Sequence, residues 1–302
     1  ELPSPAYDLL PEFSKYKSRA RRKPVGVIMT SRGCPYQCTY CNSSVFGKKF
    51  RARSPENVIQ EIDMLVKDYG IKQLDVLDDN FTLDIQRASK ILDLIIKRKY
   101  RILINLQNGV RADRLTPELV KKMKKAGVFK VGIGVESADE KILNSIKKNL
   151  DLNKVARAFD MFRKEGIITF GFFMLGFPEE TEESINKTID FAIKSNPTTA
   201  NFSMLIPFPG THMHQVLKEN GLLKEPNRLF YDSGFYETKT YHKLLYLDDN
   251  KILHYQKMAY RKFNFRVGKI AETLLSIRSW GEFSWTLDAA VPLLKRIIKK
   301  SD

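Results

Sequence analysis

The first 215 residues alternate between short apolar runs and longer stretches in which apolar residues recur every three to four positions. A short continuous apolar run is typical of a strand buried on both faces, whereas the longer period is typical of an amphipathic helix. Six strand-like runs are present, and each except the last is followed by a helix-like stretch. The predicted strands lie in VGVIMTSRG, IKQLDVLDD, ILINLQNG, VFKVGIGVES, IITFGFFML and TTANFSMLIPF.

Capping residues locate several of the intervening helices. Ser54-Pro55 and Thr116-Pro117 each place a hydroxyl N-cap before a proline at the first helical position. Further helices are predicted over residues 84–97, 139–165 and 181–194. The alternation predicts a parallel α/β fold, either a partial (β/α)6 barrel or a doubly wound sheet. In both folds, ligands bind at the C-terminal ends of the strands.

Composition changes this picture mainly at the C-terminus. The 302 residues carry 51 Lys and Arg against 35 Asp and Glu, a net charge of +16, and 43% of them are hydrophobic, which excludes a disordered or collagen-like chain. After about residue 215 the alternation stops, and residues 251–302 hold 11 basic and four acidic residues. We therefore expect an N-terminal linker (1–24), a barrel (25–215) and a C-terminal extension with a basic amphipathic helix (216–302).

The only cysteines are Cys34, Cys38 and Cys41, so a disulfide framework is excluded. Their C-x3-C-x2-C spacing on a loop after the first strand can turn three thiolates toward one point. A structural zinc site takes four ligands, and no fourth cysteine is present. A 4Fe-4S cluster held by three thiolates keeps one iron open for a small molecule. An incidental cysteine cluster, or zinc completed by a distant histidine such as His212, is the alternative.

The sequence SRGCPYQCTYCNSS resembles the signature of the radical S-adenosylmethionine (SAM) superfamily, including the aromatic Tyr40 before the third cysteine. The resemblance covers residues 25–215, because family-like motifs recur at the predicted strand ends. It implies a partial (β/α)6 TIM-like barrel with a mostly helical C-terminal extension. It also implies a 4Fe-4S cluster on the three cysteines, SAM chelated by the open iron, and a reducing electron donor for cleavage of SAM to a 5′-deoxyadenosyl radical.

The same resemblance assigns cofactor contacts to two strand ends. In LDDNFT, Asp78, Asp79 and Asn80 would accept hydrogen bonds from the SAM ammonium, although such residues also suit the cap of the next helix. In GIGVES, Glu136 and Ser137 resemble the residues that contact the ribose hydroxyls. A loop carboxylate without a ligand is the alternative for this second motif.

The remaining assignments concern the SAM carboxylate and the adenine. Asn108 and Arg111 would face the SAM carboxylate or the substrate, unless Arg111 makes a surface ion pair. Gly176 lies in a sequence that resembles the family's glycine-containing adenine motif. Leu205 and Pro207 would line the adenine, unless they only form a turn that ends the strand. The sequence assigns no catalytic side chain.

The motifs DDNFT, GVRAD, GIGVESAD, LGFPEET and PFPGT most resemble the cobalamin-linked branch of the superfamily, which includes methyltransferases and ring-forming enzymes. In that branch a cobalamin domain precedes the barrel; this chain has no room for one, and none of its four histidines lies in a D-x-H-x-x-G motif. Cobalamin is therefore left open, as is a segment before Glu1. We expect C–H functionalisation, by methyl transfer or by ring or bond formation, of a hydrophobic, lipid-like small molecule. The alternatives are a methylthiotransferase-like enzyme that modifies tRNA, and a non-catalytic basic binding protein with a structural metal.

The C-terminal helix motivates the lipid-like substrate. Its apolar residues recur at helical spacing, its basic residues crowd the end and two tryptophans lie upstream: Leu287, Val291, Leu294, Ile298, Lys295, Arg296, Lys299, Lys300, Trp280 and Trp285. This pattern is typical of peripheral contact with the inner face of a membrane, with nucleic acid as the less favoured partner. A helix packed on the barrel explains it equally well. Without a spanning segment or signal peptide, we expect a cytoplasmic protein.

Overall fold

The computed structural model describes residues 3–16, 20–227, 239–277, 283, 286–287 and 291. The strands are β1 (Val25–Ile28), β2 (Ser31–Arg32), β3 (Arg51–Ala52), β4 (Gln73–Val76), β5 (Leu103–Leu106), β6 (Val128–Glu136), β7 (Ile168–Leu175) and β8 (Thr199–Met204). The helices are α1 (Pro55–Lys67), α2 (Ile85–Arg98), α3 (Pro117–Lys125), α4 (Glu140–Ser145), α5 (Leu152–Lys164), α6 (Glu182–Ser195), α7 (His212–Glu219), α8 (Asp249–Asn264) and α9 (Val267–Ser276). Within these ranges, no helix has the length and apolar character needed to cross a membrane.

Six strands form one parallel sheet in the order β1-β4-β5-β6-β7-β8. Consecutive strands of the sheet are neighbours, with helices between them, which confirms the predicted α/β architecture. Among the described strands, β1 and β8 end the sheet without pairing with each other, so the barrel is partial. The short strands β2 and β3 form an antiparallel pair, and the loop between them carries the cysteines.

The two faces of the sheet differ in exposure. On the helix-facing side, Val131, Phe173 and Phe202 are fully buried in one hydrophobic core. On the inner side, alternate residues of β7 such as Phe170 and Phe172 are half-exposed. The barrel therefore surrounds an accessible space, which we call the lumen, whereas the interior of a closed barrel of this type is filled by packed side chains.

Side chains from outside the sheet satisfy the polar backbone groups of its two edges. At β1, the hydroxyl of Tyr7 lies 3.3 Å from the carbonyl oxygen of Val27. At β8, the backbone N–H of Phe202 donates to the hydroxyl of Tyr260, and Gln256 Nε2 donates to the carbonyl of Phe202 at 2.8 Å. Covered edges of this kind prevent further strand pairing. Because Tyr260 and Gln256 lie on α8, the C-terminal extension is packed on the barrel; a domain boundary at residue 215 stays a prediction.

The prediction of one helix over residues 139–165 is wrong. The structure has two helices, α4 and α5, separated by a loop in which Lys147 and Asn149 adopt left-handed φ angles of 53° and 45°. This conformation interrupts a helix. The side chain of Asp151 then caps α5. The loop places Lys148 against the cysteine loop.

The predicted C-terminal amphipathic helix lies mostly outside the described residues. Of the apolar and basic residues named for it, only Leu287 and Val291 are described, and both are exposed. The membrane-contact prediction is therefore untested by the fold. In the described part of the extension, α8 and α9 confirm a mostly helical structure.

Candidate functional site

The three cysteines lie on the loop between β2 and β3, which we call the cysteine loop. Cys34 and Cys38 are half-buried, Cys41 is exposed, and all three are free thiols. The N–H of Cys41 donates to the carbonyl of Cys38 at 3.2 Å and closes a turn. The loop begins at Gly33, where φ is +84° and a Cβ would lie 2.3 Å from the carbonyl oxygen of Lys49. Only glycine fits this position.

The thiols are close enough for their charges to interact. Burial raises the pKa of Cys34, and a thiolate at Cys38 raises it further. Burial likewise raises the pKa of Cys41 to about 11, with added repulsion from both other thiolates. A site that holds like charges together is stabilised by a bound cation, and thiolates are the usual ligands of iron–sulfur clusters. The loop therefore has the donor set that such a cluster requires. In the described ranges, no three His, Cys, Asp or Glu side chains are arranged to hold one single metal ion, which a cluster of several irons does not require.

Asp78 supports the start of the cysteine loop. Its carboxylate is 1% exposed and accepts the backbone N–H of Thr30 at 2.6 Å, the hydroxyl of Thr30, and the hydroxyl of Ser31 at 2.6 Å. Arg87 on α2 donates to the carbonyl of Thr30 at 2.6 Å, and burial lowers the pKa of its guanidinium. Contact of Asp78 with the SAM ammonium stays a prediction that this geometry does not support.

Asp79 and Asn80 have different environments. Asp79 is exposed, and its Oδ2 accepts the backbone N–H of Gly33 at 2.8 Å, so the carboxylate lies beside the first cysteine. Its second oxygen accepts no hydrogen bond from the described residues. Asn80 is buried, and its Oδ1 accepts the N–H and the hydroxyl of Thr82, both at 3.2 Å. Of the three residues in this motif, Asp79 is the one with an oxygen available to a ligand.

Lys148, which the sequence motifs did not indicate, is a buried cation at the site. Its Nζ donates to Glu136 Oε1 at 3.0 Å and to the hydroxyl of Tyr40 at 3.2 Å. The side chains of Lys148 and Glu136 are only 15% and 9% exposed. Burial alone would lower the pKa of Lys148, but Glu136 and a thiolate at Cys38 raise it above its usual value. A positive charge is therefore held next to the cysteines.

Backbone hydrogen bonds attach the middle of the cysteine loop to two neighbouring segments. The N–H of Thr39 donates to the carbonyl of Ile146 at 3.0 Å, in the loop between α4 and α5. The carbonyl of Thr39 accepts the N–H of Met213, in the first turn of α7, at 2.9 Å. His212 is exposed and His214 is half-buried, and neither reaches the cysteines through a hydrogen bond among the described residues.

The side chains of Arg111 and Asn108 make contacts within the protein. The Arg111 guanidinium lies over the ring of Tyr36, 3.9 Å from its centroid, and donates to the carbonyl of Asn149 at 2.7 Å. It also makes an ion pair with Asp113 at 2.8 Å. Asn108 donates to the carbonyl of Leu77 at 2.9 Å. Arg111 thus fastens the cysteine loop to the loop that carries Lys148, and its contact with the SAM carboxylate stays a prediction.

Glu136 and Ser137 point in different directions at the end of β6. Glu136 has a left-handed φ of 68° at a register shift between β6 and β7, and its carboxylate faces Lys148. Ser137 is fully buried, with its hydroxyl 3.2 Å from the hydroxyl of Thr188 and accepting the N–H of Asp139 at 3.1 Å. This burial gives the predicted ribose contact of Ser137 no support.

Two side chains to which the sequence motifs assigned no role hold the turn at Gly176. Its N–H donates to Glu180 at 2.5 Å, and its carbonyl lies 2.7 Å from Nε2 of His242, in the extension. Burial raises the pKa of Glu180 to about 8, although the N–H groups of Gly176 and Phe177 act in the opposite direction. Burial lowers the pKa of His242 to about 4, so the neutral ring donates its Nε2–H.

Leu205 and Pro207 are buried beside this turn. Leu205 is 1% exposed and packs in a second apolar cluster with Phe177, against which the ring of Tyr40 rests. Its N–H donates to the carbonyl of Leu175 at 2.7 Å and extends the pairing of β7 and β8. Leu205 thus supports Tyr40 of the cysteine loop through this cluster. Contact of Leu205 and Pro207 with adenine stays a prediction.

Comparison with known proteins decides the family. A sequence profile of the radical SAM superfamily matches residues 28–192, more than half of the chain. This chain belongs to the radical SAM superfamily. An uncharacterized methyltransferase of Pyrococcus horikoshii is 40% identical over 229 residues, which are 75% of this chain and 49% of that protein. The anaerobic magnesium-protoporphyrin IX monomethyl ester cyclase of Rubrivivax gelatinosus is 29% identical over 206 residues, 68% of this chain and 37% of the cyclase. The chain spans half or less of the length of these relatives.

Solved structures share the fold of this radical SAM chain. The cobalamin-dependent SAM radical enzyme OxsB, with aqua-cobalamin and SAM bound, superposes with a TM-score of 0.66 at 16% identity, covering 90% of this chain and 46% of OxsB. The radical SAM methyltransferase TsrM from Kitasatospora setae, with tryptophan and a SAM analogue bound, gives a TM-score of 0.61 at 22% identity, covering 92% and 52%. Together with the superfamily match, this likeness confirms the predicted partial barrel.

Proposed function

We propose that this chain is the barrel of a radical SAM enzyme that functionalises a C–H bond of a hydrophobic small molecule, with methyl transfer as the most specific form. The observation that carries the proposal is the cysteine loop, in which three free thiols lie close enough for their charges to interact. When bound, the 4Fe-4S cluster and SAM supply an electron and a 5′-deoxyadenosyl radical. The named methyltransferase and cyclase relatives support this class of reaction.

The protein's own residues then have distinct parts. Cys34, Cys38 and Cys41 hold the cluster. The free oxygen of Asp79, next to the first cysteine, accepts a hydrogen bond from the SAM ammonium, because a charge-assisted bond of this kind is strong. The Lys148–Glu136 pair keeps a cation beside the thiolates. Glu180 and His242 fix the turn at Gly176 by taking its N–H and its carbonyl, and Gly176 is proposed to lie against adenine through close approach of its backbone.

The proposal also concerns cobalamin, the electron donor and the location of the protein. TsrM and OxsB bind cobalamin, but no histidine of this chain lies in a D-x-H-x-x-G motif, so we assign no axial ligand to its residues. A reducing electron donor is needed for each turnover. The proposed location is cytoplasmic, and the proposed peripheral membrane contact rests on the C-terminal helix, most of which lies outside the described residues.

The test is SAM cleavage by the anaerobically reconstituted chain with a chemical reductant. We expect 5′-deoxyadenosine to form with the unchanged chain and to fall at least 100-fold in Cys34→Ala, Cys38→Ala and Cys41→Ala. Addition of lipid-like small molecules, but not of unmodified tRNA, should stimulate cleavage. Equal 5′-deoxyadenosine formation by the cysteine variants contradicts the proposal, and stimulation by tRNA alone favours the tRNA-modifying alternative.

A further inference from the structure

The lumen contains three polar side chains at one level. The strand register pairs Asp75 on β4 with Asn105 on β5, and Asn105 with Lys130 on β6. Their neighbours Leu74 and Ile104 are buried in the helix-facing core. Because successive side chains of a strand point to opposite faces, the three polar residues line the lumen. We call Asp75, Asn105 and Lys130 the polar row.

Two members of the polar row have polar groups without partners. Oδ1 of Asn105, a residue only 4% exposed, accepts no hydrogen bond within the described part of the chain. The Lys130 ammonium makes no hydrogen bond or ion pair with any described residue, and lies over the ring of Phe170, 5.4 Å from its centroid. Burial lowers the pKa of Lys130, and Asp75 opposes this effect. An unpaired buried polar group is destabilising, so Asn105 Oδ1 beside the half-buried ammonium of Lys130 indicates a ligand site.

The surroundings of the polar row define the shape of this site. Below it, the N–H groups of Arg21 and Arg22 donate to Gln73 Oε1 at 3.0 and 3.3 Å, and the Arg21 guanidinium lies over the ring of Phe129. The N-terminal segment therefore covers the floor of the lumen. Above the row, the half-exposed side chains of Leu77, Phe172 and Met174 give the inner face apolar surface, and Gln107 adds an exposed amide. Lys130 and Glu136 are six residue steps apart on β6, a rise of roughly 20 Å.

We propose that Lys130 and Asn105 bind the acidic head group of an elongated apolar substrate, whose body extends along the lumen toward the cysteine loop. Lys130 donates to the acidic oxygens. Asn105 Nδ2 donates to Gln107 Oε1 at 3.4 Å, so the Asn105 amide offers a hydrogen to the ligand after the amides of Asn105 and Gln107 rotate together. That this ligand is the substrate of the enzyme rests on the proposed function. A carboxylate and a phosphate share the required chemistry.

Asp75 provides a second test of the proposal, because its negative charge has the opposite effect to Lys130 on a bound anion. One of its oxygens accepts from Gln73 Nε2 at 2.8 Å, and two strand spacings, roughly 10 Å, separate its backbone from that of Lys130. No ion pair within 4 Å joins the two among the described residues, so Asp75 does not neutralise Lys130 by contact. A bound anion is instead repelled by the Asp75 carboxylate.

The experiment measures binding of ten-carbon probes to the full chain by calorimetry, without reductant. Decanoate or decyl phosphate is expected to bind one-to-one, at least tenfold more tightly than decanol or decylamine, and the stronger of the two acids identifies the head group. Lys130→Met should weaken binding of the acid at least tenfold. Lys141→Met, at an exposed lysine on α4, is the matched control and should leave it unchanged. Asp75→Asn, which retains an acceptor for Gln73, should strengthen it severalfold.

Two results would overturn the proposal: binding of the acids no tighter than that of decanol, or equal affinity of Lys130→Met and the unchanged chain. A variant that only failed to fold would weaken all probes together, whereas the opposite changes in Lys130→Met and Asp75→Asn require charge recognition. Because these measurements need no SAM cleavage, failure of the proposed radical chemistry is detected separately, by absence of 5′-deoxyadenosine.

Discussion

Lys148, in the loop between α4 and α5, donates a hydrogen bond of 3.0 Å to Glu136 at the end of β6. This pair lies beside the three thiols. The backbone around this pair is costly to form: Glu136, Lys147 and Asn149 all have left-handed φ angles, which L-residues rarely adopt. At Gly134, a Cβ would lie 2.6 Å from Glu136 Oε1, so the chain leaves space for the carboxylate. The pair is therefore built into the end of the barrel where the cysteine loop rests.

Lys148→Met tests the importance of this cation. The substitution leaves Glu136 buried without its partner, so we expect the apoprotein to lose about 3 kcal/mol of unfolding free energy and the chain to retain less than a third of its iron. Urea unfolding and iron analysis measure the two effects. Lys147→Met, at the exposed neighbouring lysine, is the control and should change neither. Full iron loading in Lys148→Met would show that the cation is dispensable for the cluster.

Asp78 and Asp79 should respond differently to substitution. Asp78→Ala leaves the N–H and hydroxyl donors of Thr30 and Ser31 unpaired, so we expect a loss of about 3 kcal/mol in stability together with loss of the cluster. Asp79→Ala should cost less than about 1 kcal/mol and keep the cluster, but weaken SAM binding at least tenfold. Calorimetry with SAM and urea unfolding separate the roles. Unchanged SAM affinity in Asp79→Ala would remove Asp79 from the cofactor site.

The turn at Gly176 predicts a stability maximum in pH. Glu180 has its pKa raised by burial to about 8, so its contribution is present at low pH and is lost as the pH rises through that value. His242 has its pKa lowered by burial to about 4, so its contribution is present above pH 6.5 and is lost as the pH falls. We expect Glu180→Gln to flatten the alkaline limb, by at most about 4 kcal/mol, and His242→Gln to flatten the acid limb. Urea unfolding between pH 5 and 9 measures both; parallel curves for all three proteins would refute the assignment.

Gly33→Ala tests whether the backbone at the start of the cysteine loop is fixed. A Cβ 2.3 Å from the Lys49 carbonyl oxygen, on a residue with φ of +84°, forces the loop to move. We expect loss of cluster binding with the barrel still folded, measured by iron content and circular dichroism. Gly47→Ala is the matched control for a left-handed glycine, since no atom lies within 4 Å of its Cβ position. Normal iron content in Gly33→Ala would show that the loop tolerates rearrangement.

The sequence predicted most of the barrel because its signals are local. The N-caps at Ser54 and Thr116 and the six apolar runs lie within single elements, and the structure has them where expected. The break between α4 and α5 was missed because apolar residues continue at helical spacing across it, through Ile142, Ile146 and Leu150, with no glycine to mark the left-handed positions.

The candidate site was predictable where its residues are adjacent in sequence and not where they are distant. The spacing of the cysteines indicated their chemistry, but Lys148 is 108 residues from Tyr40, and His242 is 66 residues from Gly176. The different roles of Asp78 and Asp79 could have been predicted from the sequence. Alternation along a strand puts Asp78 on the same face as the buried Val76, and Asp79 on the opposite face.

Electron paramagnetic resonance of the anaerobically reconstituted, reduced chain, recorded with and without SAM, tests the central claim most directly. If Cys34, Cys38 and Cys41 hold a 4Fe-4S cluster with one open iron, the unchanged chain gives the signal of a reduced cluster, and SAM shifts it. Each Cys→Ala variant should lose the signal. A colourless protein, or a cluster signal that SAM leaves unaltered, would contradict the account.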